Sequence, residues 1–516
     1  MLNSSFSLNF LKIYLWKGIG LLVNLGSLFV VIPKLSSDPE VFGVYAICAS
    51  FSIYLSYADI GFYRAGVKFA AECFAKGDRQ GEQRFLGFSL FILTLFVCLI
   101  AAGFLYLSYH PTFLIKGIDG TERVNVASSL LMIQAFFSFN SILQRFVDAV
   151  LNIRLETYVS QRILIVGGIV KILSVFYFFG NGRYDLVGYF LFIKSVDLVA
   201  HMICILIIRK RLNYNLTAFL RSFRFDKAIY NRSKALAFSS FYVTLLWITY
   251  YEMDQLAIGS LIGANEVAVY AVAFTILTYY RTIASIIFAP FQSRFNHIKG
   301  LGQEEELKKY YYSVIRLTMP VVVFSVTPIL LLSEEFVMAW VGSDYDSSVP
   351  LLIFLMLSNL FLFIGTPGSY LIVTMEKVRV IYALNTVMSL VYWLGIVVFI
   401  NQMGVLAFAV FKFISFFIAT LFYTNYTIKY LGISLVTFLK DTILSILLPL
   451  AFSMALLWLF KSNMSFERST TDLLMVIGAI GVSILISVIS FYGVSKDFRG
   501  QLNEVIGKIL PKSQTT

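Results

Sequence analysis

Charge is scarce in this chain. Only 14% of its 516 residues are Asp, Glu, Lys or Arg, while 59% are hydrophobic and the mean hydropathy is +0.80. A soluble domain is about a quarter charged, so the apolar excess is too large for a water-facing globule and lipid becomes the solvent. Cysteine is scarce as well. Cys48, Cys73, Cys98 and Cys204 lie in apolar runs or in a basic loop, so no disulfide framework is expected. The three histidines, His110, His201 and His297, are scattered. No H-E-x-x-H occurs, and no G-x-x-x-x-G-K followed by Ser or Thr, which argues against a metalloprotease and against an ATP-driven pump within this chain. Neither a cofactor nor a metal site is expected. The first apolar run lacks a small-residue cleavage site and reads as a retained helix, not a cleaved signal peptide.

Apolar runs of some twenty residues recur almost end to end. Each is long enough to cross a hydrocarbon core of ~30 Å as a helix, the form that satisfies every backbone group inside lipid. Fourteen spans are expected: 12–33, 41–63, 85–107, 126–151, 160–179, 186–208, 236–261, 266–291, 313–333, 348–374, 380–400, 404–428, 441–460 and 472–494. Only residues 401–404 separate spans eleven and twelve, so a tight turn must join them. The expected fold is all-α: a polytopic membrane protein of about 14 transmembrane helices.

Loop charges set the orientation. Of the 41 lysines and arginines, 29 fall in alternate loops and at the chain ends, and 6 fall in the opposite loops. The positive-inside rule then puts both termini in the cytosol. The net charge of +12 reads as attraction to anionic membrane lipids, with no nucleic-acid partner. The outside loops are short, the longest being 108–125 and 334–347. That opposes an enzyme with an external catalytic lobe. Asp344 and Asp346 have the spacing of a metal-binding D-x-D pair and read as a solvated acidic turn.

The longest polar break is 209–235, with Arg209, Lys210, Arg211, Arg221, Arg224, Lys227, Arg232 and Lys234 against Asp226 alone. Leu216, Phe219, Leu220 and Phe223 share one helical face within it, predicting an amphipathic helix on the inner leaflet. The chain also repeats weakly. Phe42–Ile47 (FGVYAI) and Val267–Val272 (VAVYAV) match at an offset of 225 residues, as do Lys76-Gly77 and Leu301-Gly302. Two pseudo-symmetric six-helix bundles are therefore expected: an N-terminal lobe at 1–208, a cytosolic linker at 209–235 and a C-terminal lobe at 236–430. Residues 431–516 add two helices and a basic tail. Parallel repeats of this kind place a substrate site near the membrane midplane.

Ionisable groups inside spans cost roughly 2.5–3.5 kcal/mol each and so tend to face cavities or one another. Span four carries Ser138, Ser141, Arg145, Asp148 and Asn152, spaced 3, 4, 3 and 4 apart, as one polar stripe. Span six carries Lys194, Asp197 and His201 on one face. Lys171, Arg281 and Lys412 lie deep in spans five, eight and twelve. Glu252 and Asp254 in span seven sit two residues apart, which points them to different sides of a helix. Cations outnumber acids, so Arg145, Lys171, Lys194, Arg281 and Lys412 are the expected lining of a cationic cavity suited to phosphate. Asp148, Asp197, Glu252, Asp254 and His201 are the expected charge-balancing or ion-coupling groups. Gly365, Pro367 and Gly368 in span ten predict a bend.

Val31-Ile32-Pro33, Phe42-Gly43-Val44-Tyr45, Asp59-Ile60-Gly61 and a basic segment ending Lys76-Gly77-Asp78 resemble the polysaccharide-exporter branch of the multidrug/oligosaccharidyl-lipid/polysaccharide exporter superfamily. Asp254, Ile258-Gly259 and Val269-Tyr270 echo it in the second half. Within that superfamily the chain resembles O-antigen repeat-unit flippases. The resemblance implies V-shaped six-helix lobes, alternating access and a substrate of a few sugars on undecaprenyl pyrophosphate. It also implies H⁺ or Na⁺ coupling, a bacterial inner-membrane location, and a polysaccharide polymerase and chain-length regulator as partners. The alternatives are a multidrug and toxin extrusion antiporter, which calls for an acidic cavity, and a membrane glycosyltransferase or polymerase, which calls for large outer loops.

Overall fold

A computed structural model describes residues 4–55, 61–118, 120–495 and 498–500. They are helical almost throughout, with no strand among them. Contacts within the chain divide it into two compact units, Met1–Ala268 and Val269–Thr516.

The first unit begins with α1 (Ser4–Leu35), α2 (Pro39–Leu55), α3 (Phe62–Ala75) and α4 (Arg79–Tyr109). It continues with α5 (Thr121–Phe137), α6 (Asn140–Ile153), α7 (Tyr158–Phe178) and α8 (Leu186–Arg211). The short α9 (Leu216–Ser222), then α10 (Lys227–Trp247) and α11 (Asp254–Leu261), complete it. Side-chain caps set several of these starts. Asp78, Asp185, Asn215 and Asp226 accept backbone N–H groups at the first turns of α4, α8, α9 and α10, donors that a helix cannot satisfy by itself.

The second unit holds α12 (Ala264–Gly300), whose first turn straddles the division, α13 (Glu304–Leu331), α14 (Ser333–Val341), α15 (Ser348–Thr374) and α16 (Val378–Met403). α17 (Leu406–Leu431), α18 (Leu435–Leu439), α19 (Ser445–Ser462) and α20 (Thr470–Val494) follow. α12 runs for 37 residues with Pro290 inside it. The tight turn expected at 401–404 is present, closed by Gly404 at φ 56. α15 matches its expected span end to end and continues through Pro367. Its glycines serve packing: a Cβ on Gly365 would lie 2.8 Å from the Tyr423 ring of α17.

Among the described residues, eleven helices are long and apolar enough to cross a membrane, or twelve if the bent pair α5–α6 is one span. Two of the fourteen expected spans are not among them. In 41–63 the described residues of α2, Pro39–Leu55, number 17, and α3 begins at Phe62 after Gly61 at φ 75. In 236–261 the chain breaks into α10, a five-residue π-turn Ile248–Glu252, and α11. Leucines such as Leu99 (69% exposed) and Leu485 (61% exposed) face outward from these helices, as a lipid-facing surface requires. All four cysteines are free. Asp344 and Asp346 are exposed beside a 3₁₀ turn, Ser343–Tyr345.

The internal repeat has a structural counterpart. Helices start at Pro39 and Ala264, and again at Arg79 and Glu304, both pairs at the same offset of 225 residues. Gly77 and Gly302, just ahead of the second pair, share left-handed φ values of 77 and 71, a conformation that glycine adopts without penalty. The stretch 209–235 is ordered but is not one amphipathic helix. α8 runs into it as far as Arg211, α9 is only seven residues long, and α10 begins at Lys227. Phe219 packs on Phe146 and Phe223 on Phe91, whereas Leu220 points outward at 67% exposure. The Asp59 part of the sequence motif lies outside the described residues.

Two predictions follow from this packing. In α2, Gly43 has no room for a side chain, because a Cβ there would meet the carbonyl oxygen of Ala264. Gly43→Ala should lower the thermal midpoint in detergent, at a cost of about 1–3 kcal/mol for overpacking. Gly478→Ala in α20, where nothing lies within 4 Å, should not lower it. At the linker, Arg84 and the first N–H groups of α10 hold the Asp226 carboxyl below its ordinary value. A depressed folded value means that this stabilisation is complete above the unfolded Asp pKa of about 3.9 and fades as pH falls below it. Asp226→Asn keeps an N-cap but loses the charge. Thermal midpoints measured across acid pH should therefore fall less steeply in the variant than in the wild type.

Candidate functional site

The first unit holds an open cavity of about 220 Å³ lined by α2, α5, α6, α7 and α8. Its shape depends on the break between α5 and α6. There the chain bends by 40°, and the backbone bonds shorten from four-residue to three-residue steps, Ser138 N–H to Ala135 and Ser141 N–H to Ser138. The Ser138 and Ser141 hydroxyls donate to the carbonyls of Gln134 and Ser138 at 2.6 and 2.7 Å. The Ser138 hydroxyl thereby occupies the Gln134 carbonyl, which loses the Ser138 N–H to Ala135, while the Ser141 hydroxyl adds a second donor to the Ser138 carbonyl. The bend turns Asn140, Ser141, Gln144 and Arg145 toward the cavity together with Gln134 and Phe137 of α5. The opposite wall is Lys194, Asp197 and His201 on α8, the triplet spaced i, i+3 and i+7, with Ser52 and Leu55 of α2 and Leu164 of α7 completing it.

The polar contacts fix most of these side chains. Lys194 Nζ donates to Ser52 Oγ at 2.8 Å and lies 5.0 Å from the Phe190 ring centre. The Arg145 guanidinium sits 4.9 Å over the Tyr63 ring, and the Tyr63 hydroxyl donates to the Arg145 carbonyl at 3.1 Å. His201 Nδ1 donates to Asn140 Oδ1 at 3.0 Å. Lys171 of α7 forms an ion pair with Asp197. That pair offsets the one acid of the lining, so the wall keeps the positive charge of Arg145 and Lys194. Gln134 is 1% exposed, and its Oε1 has no hydrogen-bond partner among the described residues. A buried amide oxygen without a donor is costly, and a ligand hydroxyl entering the cavity would supply one.

The structure thus brings together Arg145, Lys194, Asp197 and His201, with Lys171 one contact behind. The rest lie elsewhere. Asp148 is half-buried on α6 outside the lining, and Asn152 at the far end of the stripe is exposed. Glu252 and Asp254 are both buried in the first unit, at the end of the π-turn and at the start of α11, and neither lines this cavity. The Tyr54 hydroxyl donates to the Glu252 carbonyl at 2.7 Å. In the second unit, Lys412 is 1% exposed, 5.3 Å from the Phe274 ring and 5.5 Å from the Tyr392 ring, a cation–π setting inside packed helices. Arg281 lies partly buried on α12. Sequence reasoning missed the neutral liners Ser52, Gln134, Asn140 and Gln144. The available signal was the run Gln134, Ser138, Ser141, Arg145, a three-to-four-residue polar period that begins one turn earlier than the stripe identified.

No protein-family model matches this sequence, and neither does any curated protein sequence. Solved structures do match. The lipid II flippase MurJ in an inward closed conformation aligns at TM-score 0.69 and 15% identity, covering 94% of this chain and 98% of that one. An inward-facing MATE family multidrug resistance transporter of the MOP superfamily aligns at TM-score 0.62 and 15% identity, over 80% of this chain and 94% of the other. An outward-facing MATE structure gives TM-score 0.55 at 16% identity, over 82% and 95%. At such identities the likeness is one of fold: this chain has the polytopic helical fold shared by MurJ and the MATE transporters.

Proposed function

We propose that this protein is a flippase for a lipid-linked oligosaccharide, carrying its phosphate-bearing head group from the inner to the outer leaflet of a bacterial cytoplasmic membrane by alternating access. The observation that carries the reading is the cavity holding Arg145 and Lys194 inside the membrane-spanning first unit. A cation held in a low-dielectric site is costly unless function or a partner maintains it, and guanidinium and ammonium groups are the natural donors to phosphate. Gln134, Asn140 and Gln144 in the same wall offer amide donors and acceptors for sugar hydroxyls. The fold match to a lipid II flippase over 94% of the chain supports a lipid-linked substrate. The loop-charge bias supports cytosolic termini.

An undecaprenyl-pyrophosphate repeat unit of an O-antigen or a similar surface polysaccharide is the substrate that fits the sequence resemblance. Glu252 and Asp254, each buried next to a π-turn, are our candidates to carry a coupling H⁺ or Na⁺. The MATE fold match favours a second reading, extrusion of cationic drugs. The positive charge of Arg145 and Lys194 opposes it, since like charge in a cavity repels such a substrate.

The test is translocation of a fluorescent undecaprenyl-pyrophosphate oligosaccharide in vesicles holding the purified protein, read by leaflet-selective quenching. Arg145→Ala and Lys194→Ala should each slow translocation by about tenfold or more, the loss expected when a hydrogen bond to a charged group is removed. Both variants should insert and melt as the wild type does. Unchanged translocation in both, or efflux of a cationic dye that neither substitution weakens, would refute the assignment.

A further inference from the structure

A second cavity, of about 520 Å³, opens where α4 begins. Gln80, Gln83 and Arg84 of α4 form one side, and Arg221 of α9 and Arg224 form the other, with Asp226 at the edge. We propose that this pocket binds a phosphate-bearing anion at the membrane surface.

Its walls are built and not merely adjacent. The linker is pinned to the helices by aromatic pairs: Phe219 on Phe146 at 4.7 Å, Phe223 on Phe91 at 5.7 Å and Phe225 on Phe88 at 5.8 Å. Gly87 allows α9 to lie directly on α4, because a Cβ there would run into the Ser222 carbonyl. The arginines are therefore carried on a fixed floor.

The charge is uneven. Asp226 is already engaged at the pocket edge and offsets Arg84: one oxygen accepts from Arg84 at 2.5 Å, and the other accepts from the N–H groups of Ala228 and Ile229 at 3.0 and 3.2 Å. The guanidinium groups of Arg221 and Arg224 have no ion pair or hydrogen-bond partner among the described residues. Two exposed guanidiniums, spaced three residues apart in sequence and facing a third across a cavity, leave most of their donors unused. The planar fork of a guanidinium matches two oxygens of one phosphate. The glutamine amides add neutral donors at the same rim.

Position selects the source. α4, Arg79–Tyr109, is long and apolar enough to cross a membrane, which puts the pocket at its first turns at the level of lipid head groups. An anionic phospholipid head group and a soluble phosphate share the chemistry this pocket recognises, and the experiment separates them. Nothing in the inference depends on the flippase reading.

Purified full-length protein would be examined by native mass spectrometry after incubation with phosphatidylglycerol, with phosphatidylcholine, or with inorganic phosphate. The comparison is wild type against Arg221→Gln/Arg224→Gln, with Arg183→Gln as the control. Surface arginines tolerate such changes, and an unchanged thermal midpoint would verify the fold. The double variant should retain phosphatidylglycerol roughly 30-fold more weakly, at about fivefold per basic residue near a charged surface, with phosphatidylcholine unaffected. Loss confined to inorganic phosphate would assign the pocket to a soluble phosphate. Equal retention of both anions by wild type and double variant would overturn the proposal.

Discussion

The cost of holding charge in hydrocarbon governs this molecule more than any other term. A buried cation must be paired, stacked on an aromatic face or given a wet cavity, and each solution appears here at a different site. Lys171 is paired with Asp197. Lys412 is surrounded by the rings of Phe274 and Tyr392. Lys194 and Arg145 line a cavity and each touches an aromatic ring on the way in. The same term explains the rim of the molecule, where the arginines of 209–235 stay in reach of water and the phenylalanines between them anchor the linker to the bundle.

These solutions differ in what they leave available. Lys412 is buried with two aromatic rings within 5.5 Å of its ammonium group. A lysine bonded to one serine hydroxyl still has donors to offer. Lys194 lines a cavity with Arg145, Asp197 and His201, and on that ground the first unit holds the stronger candidate site.

Much of the fold was legible in the sequence because hydropathy and glycine report it directly. α15 falls on its expected boundaries, the turn at Gly404 was forced by chain length, and Gly77 and Gly302 mark equivalent turns before α4 and α13. The breaks were not legible. Neither Ser138-Phe139 nor Tyr250–Met253 contains a glycine or proline, and apolar periodicity runs through both without interruption. The candidate site was half legible for the same reason. Charged residues inside a span stand out as costly, so Arg145, Lys194, Asp197 and His201 were found. Gln134 and Ser52 are cheap to bury when bonded and look ordinary in sequence. The π-turn that ends at Glu252, just before α11 begins at Asp254, also had no signal in the sequence.

The length of α12 has its own consequence. At 1.5 Å per residue its 37 residues span about 55 Å, well beyond a hydrocarbon thickness of ~30 Å. Several turns must therefore stand in the aqueous phase. Its later part carries Arg294 and Lys299, which pair with Glu306 and Glu304 of α13 across an exposed surface, while Phe295 and Ile298 pack into a core with Leu307 and Tyr311. Dissolved salt screens those surface pairs within about a Debye length, ~8 Å at physiological ionic strength, but does not reach the hydrocarbon-embedded half. One continuous helix is thereby held at one end by a term that ionic strength tunes and at the other by a term that only lipid composition can change.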